Sequence, residues 1–464
     1  MQTLIKYFIL FNILLPLIAL SQKPYSISGT IKNCKQDKII FSKIYGKEVI
    51  AVDSVILQND CTFRFNFPDS QYVGVFRLSF NNVNNADFIF NKENIYIEND
   101  YNNFSENMKI IESEENKILY EYNKSVGVIK DSIKILTTIG QNLYEKDRDE
   151  NSVQLKKIVN QIDLFEKQKN DIGNNLILKF PKSFASKIIK ASFMPDFNLY
   201  QKKQNAAHYP NEAEFLKEHF FDNIDFADSN LLHTNIIFKK CGEYINYYAS
   251  PTSVETYKKA IDYILVRTAV NKNVNDYILK TMMITFEHSD WEEVYSYVVE
   301  KYLAQNYCES DTKAKQLSQK INTIKTLKSG NKAPNIATYK INEKAIVLDS
   351  INSPYLLLFF WKSSCEFCEK EIPELANIYN NYKSKGLEIF AVSLDSIKQN
   401  WIDATTRFSF PWINTCDLKG LNSPIVKDYN IWRTPTFYLL DKNKKIIARP
   451  ANTSMLKEKL KEIK

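Results

Sequence analysis

Two cysteines in the last quarter of the chain have a spacing that suits thiol chemistry. Cys365 and Cys368 are separated by two residues, in the run Cys-Glu-Phe-Cys. A thiolate in such a pair can attack a disulfide, and the second thiol can then resolve the mixed disulfide that forms. The same spacing also fits half of a zinc site or a structural disulfide. The predicted secondary structure on either side of the two cysteines is therefore needed to choose between a redox pair, a zinc site and a structural disulfide.

The flanking sequence puts the pair where a strand gives way to a helix. Tyr355 to Trp361 is a continuous apolar run, typical of a strand that is buried on both faces. Cys365 to Lys385 has a helical pattern. A helix N-terminus presents unpaired N–H groups and a partial positive charge, and both stabilise a thiolate. We therefore predict that Cys365 attacks and that Cys368, one turn inside the helix, resolves the mixed disulfide.

This arrangement resembles the thioredoxin superfamily. Trp361 ends the strand before the motif, and Pro373 follows Cys365 by eight residues, where family members carry a proline that kinks the active-site helix. Thr434 and Pro435 precede another predicted strand, about seventy residues downstream, where the family places a cis-proline. The resemblance implies a C-terminal α/β thioredoxin-like fold in which these residues support the dithiol.

Within the superfamily, residues 333–464 look most similar to the exported reductases of the TlpA/ResA-like branch, which serves cytochrome c maturation and similar thiol reduction. That branch keeps a glutamate three residues after the second cysteine, and Glu371 holds this place. Thioredoxin itself keeps an acidic residue six positions before the first cysteine, where this chain has Phe359. If a carboxylate handles protons for Cys368, the resemblance implies that it is Glu371. The alternative is that Glu371 is a solvent-facing helix residue.

Other activities are possible on the same fold. A peroxiredoxin needs a Pro-x-x-x-Thr/Ser-x-x-Cys loop. If Cys365 is the cysteine of that motif, this chain has Leu358 in place of the proline and Lys362 in place of the Thr or Ser. Peroxidase activity is therefore not expected. A disulfide isomerase or oxidase, and a binding protein with a merely structural thioredoxin-like fold, stay open as alternatives. The intact cysteine pair argues against the binding protein.

Charges near the pair favour a reductase. Glu366 lies between the cysteines, and Glu371 lies one turn beyond Cys368. Negative charge disfavours a thiolate, so it makes the reduced form less stable and the disulfide more stable. Lys362 and Lys370 oppose this effect, but their flexible head groups can turn into water. We expect a reduction potential nearer to about −250 mV than to about −120 mV.

The N-terminus resembles a secretory signal peptide over residues 1–21. Lys6 precedes an almost wholly apolar run from Tyr7 to Leu20, and small residues precede a possible cleavage site. The run is shorter than the roughly 18–20 residues that span a bilayer. The alternatives are an uncleaved anchor and a buried strand. The first cysteine is Cys34, which disfavours a lipid-anchored form. We expect a periplasmic or otherwise extracytoplasmic protein that is not attached to the membrane after cleavage.

The chain as a whole predicts a multidomain protein. Residues 22–104 alternate apolar and polar side chains, which predicts a small antiparallel β domain. Its pattern resembles the β domain that precedes thioredoxin-like modules in many exported bacterial proteins. Residues 105–328 change to apolar steps of three and four, which predicts an α-helical middle domain. Gly330 and Pro334 mark the joint to the thioredoxin-like domain, residues 333–464.

Composition limits the expected partners. The net charge of +7 is modest, and lysines are spread along the chain and mixed with acidic residues, so we expect a solvated surface and no nucleic-acid partner. None of the four histidines has zinc spacing with cysteines, and we expect neither a metal nor an organic cofactor. The expected partners are exported proteins with thiols or disulfides and a membrane electron-donor protein with its own reactive cysteines.

Five further cysteines make the total odd at seven, so at least one is free or pairs outside the chain. Cys34 and Cys61 could bridge two strands of the β domain. Cys241 and Cys308 could bridge two helices. Cys416 fits a small apolar residue on a strand better than a redox role.

Overall fold

The computed structural model describes most of the chain, and its described residues are 25–35, 38–67, 72–81, 84–104, 108–149, 152–202, 207–249, 252–306 and 312–462. The predicted signal peptide, 1–21, and Cys308 lie outside these residues. The chain divides into two compact units. The first is Met1–Tyr248 with Val266–Val274, and the second is Ala249–Leu265 with Asn275–Lys464.

The first unit begins with two four-stranded sheets. One has the order β4-β1-β7-β8, with β1 (Ser26–Lys32), β4 (Thr62–Asn66), β7 (Ile95–Asp100) and β8 (Lys109–Glu112). The other has the order β3-β2-β5-β6, with β2 (Lys38–Tyr45), β3 (Glu48–Ile56), β5 (Gly74–Ser79) and β6 (Asn85–Phe90).

Alternating apolar side chains of these strands form one core that is rich in phenylalanine. Strands β1 and β7 pair in parallel, and the other pairs of neighbouring strands are antiparallel. The predicted β domain is therefore present, with one parallel pair and with a strand, β8, that follows residue 104.

Among the described residues up to Tyr248, the first unit also has six α-helices: α1 (Glu114–Asp147), α2 (Val153–Lys179), α3 (Phe184–Ser192), α4 (Phe197–Gln201), α5 (Glu212–His219) and α6 (Ile236–Tyr248). Ser113 caps α1 by accepting a hydrogen bond from the backbone N–H of Asn116. The amide side chain of Asn116 bonds both backbone groups of Ile89 on β6, which ties α1 to the sheet.

Four more helices precede the C-terminal sheet: α7 (Val254–Thr268), α8 (Lys272–Glu287), α9 (Glu292–Asn306) and α10 (Thr312–Thr326). The apolar stripes that predicted helices here are buried, as at Ile261, Ile264, Val294 and Val298. The predicted α-helical middle region is therefore confirmed. No described helix is both long enough and apolar enough to cross a membrane.

The second unit ends in a seven-stranded sheet of order β10-β9-β13-β12-β11-β14-β15. The strands are β9 (Ala337–Lys340), β10 (Ala345–Val347), β11 (Tyr355–Trp361), β12 (Leu387–Ser393), β13 (Ile413–Cys416), β14 (Thr436–Asp441) and β15 (Ile446–Ala448). The helices are α11 (Glu366–Tyr382), α12 (Lys398–Phe408), α13 (Pro424–Asp428) and α14 (Thr453–Glu462).

Strand β11 lies inside the sheet, parallel to β12 and antiparallel to β14. Its odd-numbered residues from Leu357 to Trp361 enter the core that contains α11 and α14. Its even-numbered residues from Leu356 to Phe360 enter a second core on the opposite face. The continuous apolar run is thus buried on both faces, and the predicted thioredoxin-like fold is confirmed.

Candidate active site

The two cysteines lie at the start of α11, directly after strand β11. Cys365 is the N-cap of α11, and its Sγ accepts a hydrogen bond from the backbone N–H of Cys368 at 3.1 Å. The two residues form a disulfide. Cys365 is half-buried, whereas Cys368 is completely buried. An incoming substrate therefore reaches the sulfur of Cys365 first, and the helix N-terminus favours negative charge on that sulfur.

The cis-proline predicted from the sequence faces the disulfide. The Thr434–Pro435 peptide bond is cis. The backbone oxygen of Thr434 lies 3.3 Å from Cys365 Sγ, although the two residues are 69 positions apart in the chain. Strand β14 begins directly afterwards at Thr436. The site thus combines a half-buried sulfur with backbone that can pair with an extended polypeptide.

Trp361 supports the site from inside the core. Its side chain is fully buried, and its indole N–H donates to Asn414 Oδ1 at 3.2 Å. Asn414 in turn donates to the hydroxyl of Thr405 at 2.7 Å. The ring of Phe410 packs edge-on against Trp361. The structure therefore places Trp361 beneath the strand–helix junction, with no surface available to a substrate.

The other two predicted supporting residues lie on α11. Pro373 is exposed in the interior of this helix. Glu371 is half-buried, and its Oε2 accepts a hydrogen bond from the backbone N–H of Thr453, at the first residue of α14, at 2.7 Å. This bond satisfies a donor at a helix N-terminus. Glu371 is thus only partly exposed, and its carboxylate binds the first residue of α14.

Asp395 is a buried carboxylate at the site that sequence analysis missed. Its exposed fraction is 2%. One carboxylate oxygen accepts from the Ser363 hydroxyl at 2.6 Å, and the other accepts from the Ser363 backbone N–H at 3.1 Å. The second oxygen also accepts from the Ser393 hydroxyl at 2.6 Å. Asp395 therefore fixes the loop that leads from β11 to Cys365.

A signal for Asp395 was present in the sequence. The residue lies two positions beyond β12, which is mostly apolar and is buried at six of its seven positions. Strands β11 and β12 are parallel, so their carboxyl ends meet at the same edge of the sheet. A carboxylate at that position is expected to lie beside the cysteine motif.

Cys416 is buried at the end of β13, as predicted. Its thiol donates to the backbone oxygen of Asp395 at 3.4 Å, and its sulfur accepts from the backbone N–H of Leu418 at 3.3 Å. Burial raises the pKa of the Cys416 thiol above its usual range. The protonated form is therefore favoured, and Cys416 is a weak nucleophile in the folded protein.

Of the two bridges that the sequence suggested, the structure describes both cysteines of only one, Cys34–Cys61. Cys61 is a free thiol, so the structure contains no bridge between Cys34 and Cys61. Cys241 is a buried free thiol whose pKa burial raises, and its suggested partner, Cys308, lies outside the described residues. Among the residues that the structure describes, no group of three or more His, Cys, Asp or Glu residues could hold a metal ion.

Comparison with known proteins places the C-terminal region in a family. A model of the AhpC/TSA family matches residues 329–449, and a model called Domain of unknown function (DUF5106) matches residues 185–324. Thiol-disulfide oxidoreductase ResA of Bacillus thuringiensis subsp. konkukian is 31% identical over 133 residues, which are 29% of this chain and 75% of that protein.

Two further similarities cover the same region or extend beyond it. ResA of Bacillus subtilis is 31% identical over 130 residues, covering 26% of this chain and 66% of that protein. A solved thioredoxin-like protein from Bacteroides caccae is 26% identical and covers 58% of this chain and 98% of that chain, with a TM-score of 0.45.

The fold and the cysteine pair at its strand–helix junction define a thioredoxin-like protein. The chain belongs to the ResA/TlpA-like family of thiol-disulfide oxidoreductases, and it is an enzyme of that class.

Proposed function

We propose that this enzyme reduces disulfides of exported proteins outside the cytoplasm, using Cys365 and Cys368 as its dithiol. The observation that carries the proposal is the difference in exposure between the two sulfurs: Cys365 is half-buried beside the Thr434 carbonyl, and Cys368 is fully buried. An accessible attacking sulfur with a protected resolving sulfur suits a two-step exchange with a large substrate.

The chemistry proceeds through one mixed disulfide. The Cys365 thiolate attacks one sulfur of the substrate disulfide, and the other substrate sulfur leaves and takes up a proton. The Cys368 thiol then loses its proton and attacks Cys365 Sγ, which releases the second substrate sulfur as a thiol. The substrate gains two electrons and two protons, and the enzyme is left with the Cys365–Cys368 disulfide.

The residues around the sulfurs suit a protein substrate. The backbone N–H of Cys368 and the start of α11 stabilise the Cys365 thiolate. Phe367, between the two cysteines, has 70% of its surface exposed and offers an apolar contact beside the attacking sulfur. The backbone at Thr434 adds a place for an extended substrate segment.

The direction and the location of the reaction rest on sequence. Glu366 lies between the two cysteines and Glu371 lies one turn beyond Cys368, and negative charge disfavours a thiolate nearby. The apolar run from Tyr7 to Leu20 has the character of a signal peptide. A membrane protein with reactive cysteines is the electron donor that we propose for restoring the dithiol.

Trapping tests the proposal directly. A Cys368→Ala variant keeps the attacking thiol but cannot resolve the mixed disulfide, so it should retain its protein substrates on Cys365. Mass spectrometry after non-reducing electrophoresis would identify them. A Cys365→Ala variant is the matched control and should trap far less. Equal trapping by both variants, or none by Cys368→Ala, would reject the proposal.

A further inference from the structure

The loop that carries the cis-proline is held from outside the thioredoxin-like region. The loop defined by residues 430–435 leads into β14 and brings the Thr434 carbonyl to Cys365. Within the second compact unit, its partners include the first residue of α9 and the residues just before that helix. These partners belong to the stretch that sequence analysis assigned to the helical middle domain.

Glu292, the first residue of α9, is at the centre of this contact. Its side chain is only 12% exposed. Its Oε1 accepts hydrogen bonds from Asn430 Nδ2 at 2.9 Å and from Arg449 Nη2 at 3.2 Å. Its Oε2 accepts a further bond from Arg449 Nη1. One carboxylate therefore binds both the start of the loop and the residue that follows β15.

The hydrogen bond from Asn430 to Glu292 is made at a residue with an unusual backbone conformation. The φ of Asn430 is +46°, in the left-handed region of backbone conformation that residues other than glycine adopt uncommonly. The bond from its amide to Glu292 holds this conformation at the point where the chain turns towards Thr434. Arg449 is held on its other side as well, because its guanidinium lies over the ring of Tyr438, 4.6 Å from the ring centre.

Two further contacts follow the same loop towards the active site. Asp290 Oδ1 accepts from Arg433 Nη2 at 2.6 Å. The ring of His288 lies beside the ring of Trp432, with 5.9 Å between their centres. Asp290, Arg433 and His288 are exposed, so these two contacts contribute less to holding the loop than the bonds of Glu292.

We propose that Glu292 is a positioning residue of the active site, which holds the loop of residues 430–435 so that the Thr434 carbonyl stays against Cys365 Sγ. Glu292 acts through Asn430 and touches neither sulfur. The helical region is thus part of the machinery of thiol exchange. This inference rests on the proposed function, in which Cys365 attacks the substrate and Thr434 pairs with it.

The proposal has two measurable consequences. Loss of Glu292 releases the loop, so an extended peptide disulfide loses its pairing partner and its KM rises by about tenfold, as for one lost charged hydrogen bond. The Thr434 carbonyl is also released from the sulfur. Its oxygen opposes negative charge on Cys365, so the pH profile of Cys365 alkylation in the reduced protein should shift to lower pH.

The experiment compares full-length Glu292→Ala with wild type, using a disulfide-containing peptide for the KM and iodoacetamide for the alkylation profile. Glu292→Gln is the second variant, because it keeps the volume and one acceptor and should give an intermediate effect. Glu374→Gln is the control, since Glu374 pairs with Lys457 at 3.2 Å on other helices of the same unit.

A raised KM and a shifted profile in Glu292→Ala, graded in Glu292→Gln and absent in Glu374→Gln, would support the proposal. If Glu292→Ala does not fold, the KM and the alkylation profile are measured for Glu292→Gln and Asn430→Ala instead, and both should change in the same direction. A folded Glu292 variant with unchanged KM and profile would overturn it. That result leaves the proposed function intact as long as Cys365→Ala is inactive. Full activity of Cys365→Ala would instead reject the proposed function.

Discussion

Asp395 and Ser363 are joined by two hydrogen bonds: the Ser363 hydroxyl donates at 2.6 Å and its backbone N–H at 3.1 Å. The two residues lie at the carboxyl ends of the neighbouring parallel strands β11 and β12. Ser363 stands two residues before Cys365. The geometry of Cys365, the cysteine that we propose to attack the substrate, therefore depends on a buried carboxylate that follows another strand.

Replacing Asp395 should destabilise this junction. An asparagine amide at this position retains one acceptor oxygen, but its NH₂ group would face one of the two Ser363 donors, which bind different oxygens of the carboxylate. We expect Asp395→Asn to lower the free energy of unfolding by about 1.5–3 kcal/mol, the range for hydrogen bonds to a charged group. Urea denaturation measures this change. The control is Asp403→Asn, because Asp403 accepts a bond from Gln399 on the exposed face of α12. Equal stabilities for the two variants would contradict the role of Asp395.

The two active-site thiols should differ in reactivity. Cys365 is half-buried at a helix N-cap, whereas Cys368 is fully buried. In the reduced protein, mild alkylation followed by peptide mass spectrometry should therefore label Cys365 first. Cys416 provides an internal control, since burial raises the pKa of its thiol and it should stay unlabelled until the protein unfolds. Preferential labelling of Cys368 would reverse the assignment of roles.

Glu371 has a structural bond to Thr453 and a predicted role in proton transfer, and one substitution can separate them. Glu371→Gln keeps an acceptor for the Thr453 N–H but cannot exchange a proton. If Glu371 handles protons for Cys368, resolution of the mixed disulfide should slow by about a hundredfold, as for other general bases. Stopped-flow measurement of substrate release gives this rate. An unchanged rate would limit Glu371 to its bond with α14.

The reduction potential tests the direction of the reaction. We expect a value nearer to about −250 mV than to about −120 mV, because acidic residues near the pair stabilise the disulfide relative to the dithiol. Equilibration with glutathione buffers, followed by alkylation and mass analysis, measures it. A Glu366→Gln variant should have a higher potential than wild type. A wild-type value above about −180 mV would favour an isomerase or oxidase.

His233 should make the stability of the first unit depend on pH. Burial lowers its pKa to about 4, and its ring stacks on that of Tyr72. The unfolded chain takes up this proton below about pH 6.5, whereas the folded protein does so only near pH 4. The contribution of the neutral ring to stability is therefore complete above about pH 6.5 and decreases as the pH falls towards 4.

Thermal unfolding between pH 4 and pH 7 checks this expectation. His233→Phe keeps a ring against Tyr72 but cannot titrate, so its melting temperature should fall less steeply than that of wild type as the pH decreases. His208→Gln, which changes an exposed histidine, is the control and should follow wild type. Parallel curves for His233→Phe and wild type would show that His233 does not cause the dependence.

Local sequence determined the chemistry and the framework of the thioredoxin-like region. The strand, the N-cap and the helix around Cys365 fall within a few residues of each other. The resemblance of this region to the thioredoxin superfamily implied the cis bond before Pro435, which the structure contains. Apolar periodicity likewise predicted the helices of the middle region and most of the strands, because burial of one face imposes a repeat along the chain.

Tertiary structure decided which distant residues complete the site. Asp395 is 32 positions from Ser363, Thr453 is 82 positions from Glu371, and Asn430 is 138 positions from Glu292. The parallel pairing of β1 with β7 is equally remote in sequence. A charged or amide side chain has no periodic signature, since its hydrogen-bond partners can lie at any separation in the sequence. Such pairs are selected only when the packed elements bring donor and acceptor within about 3 Å.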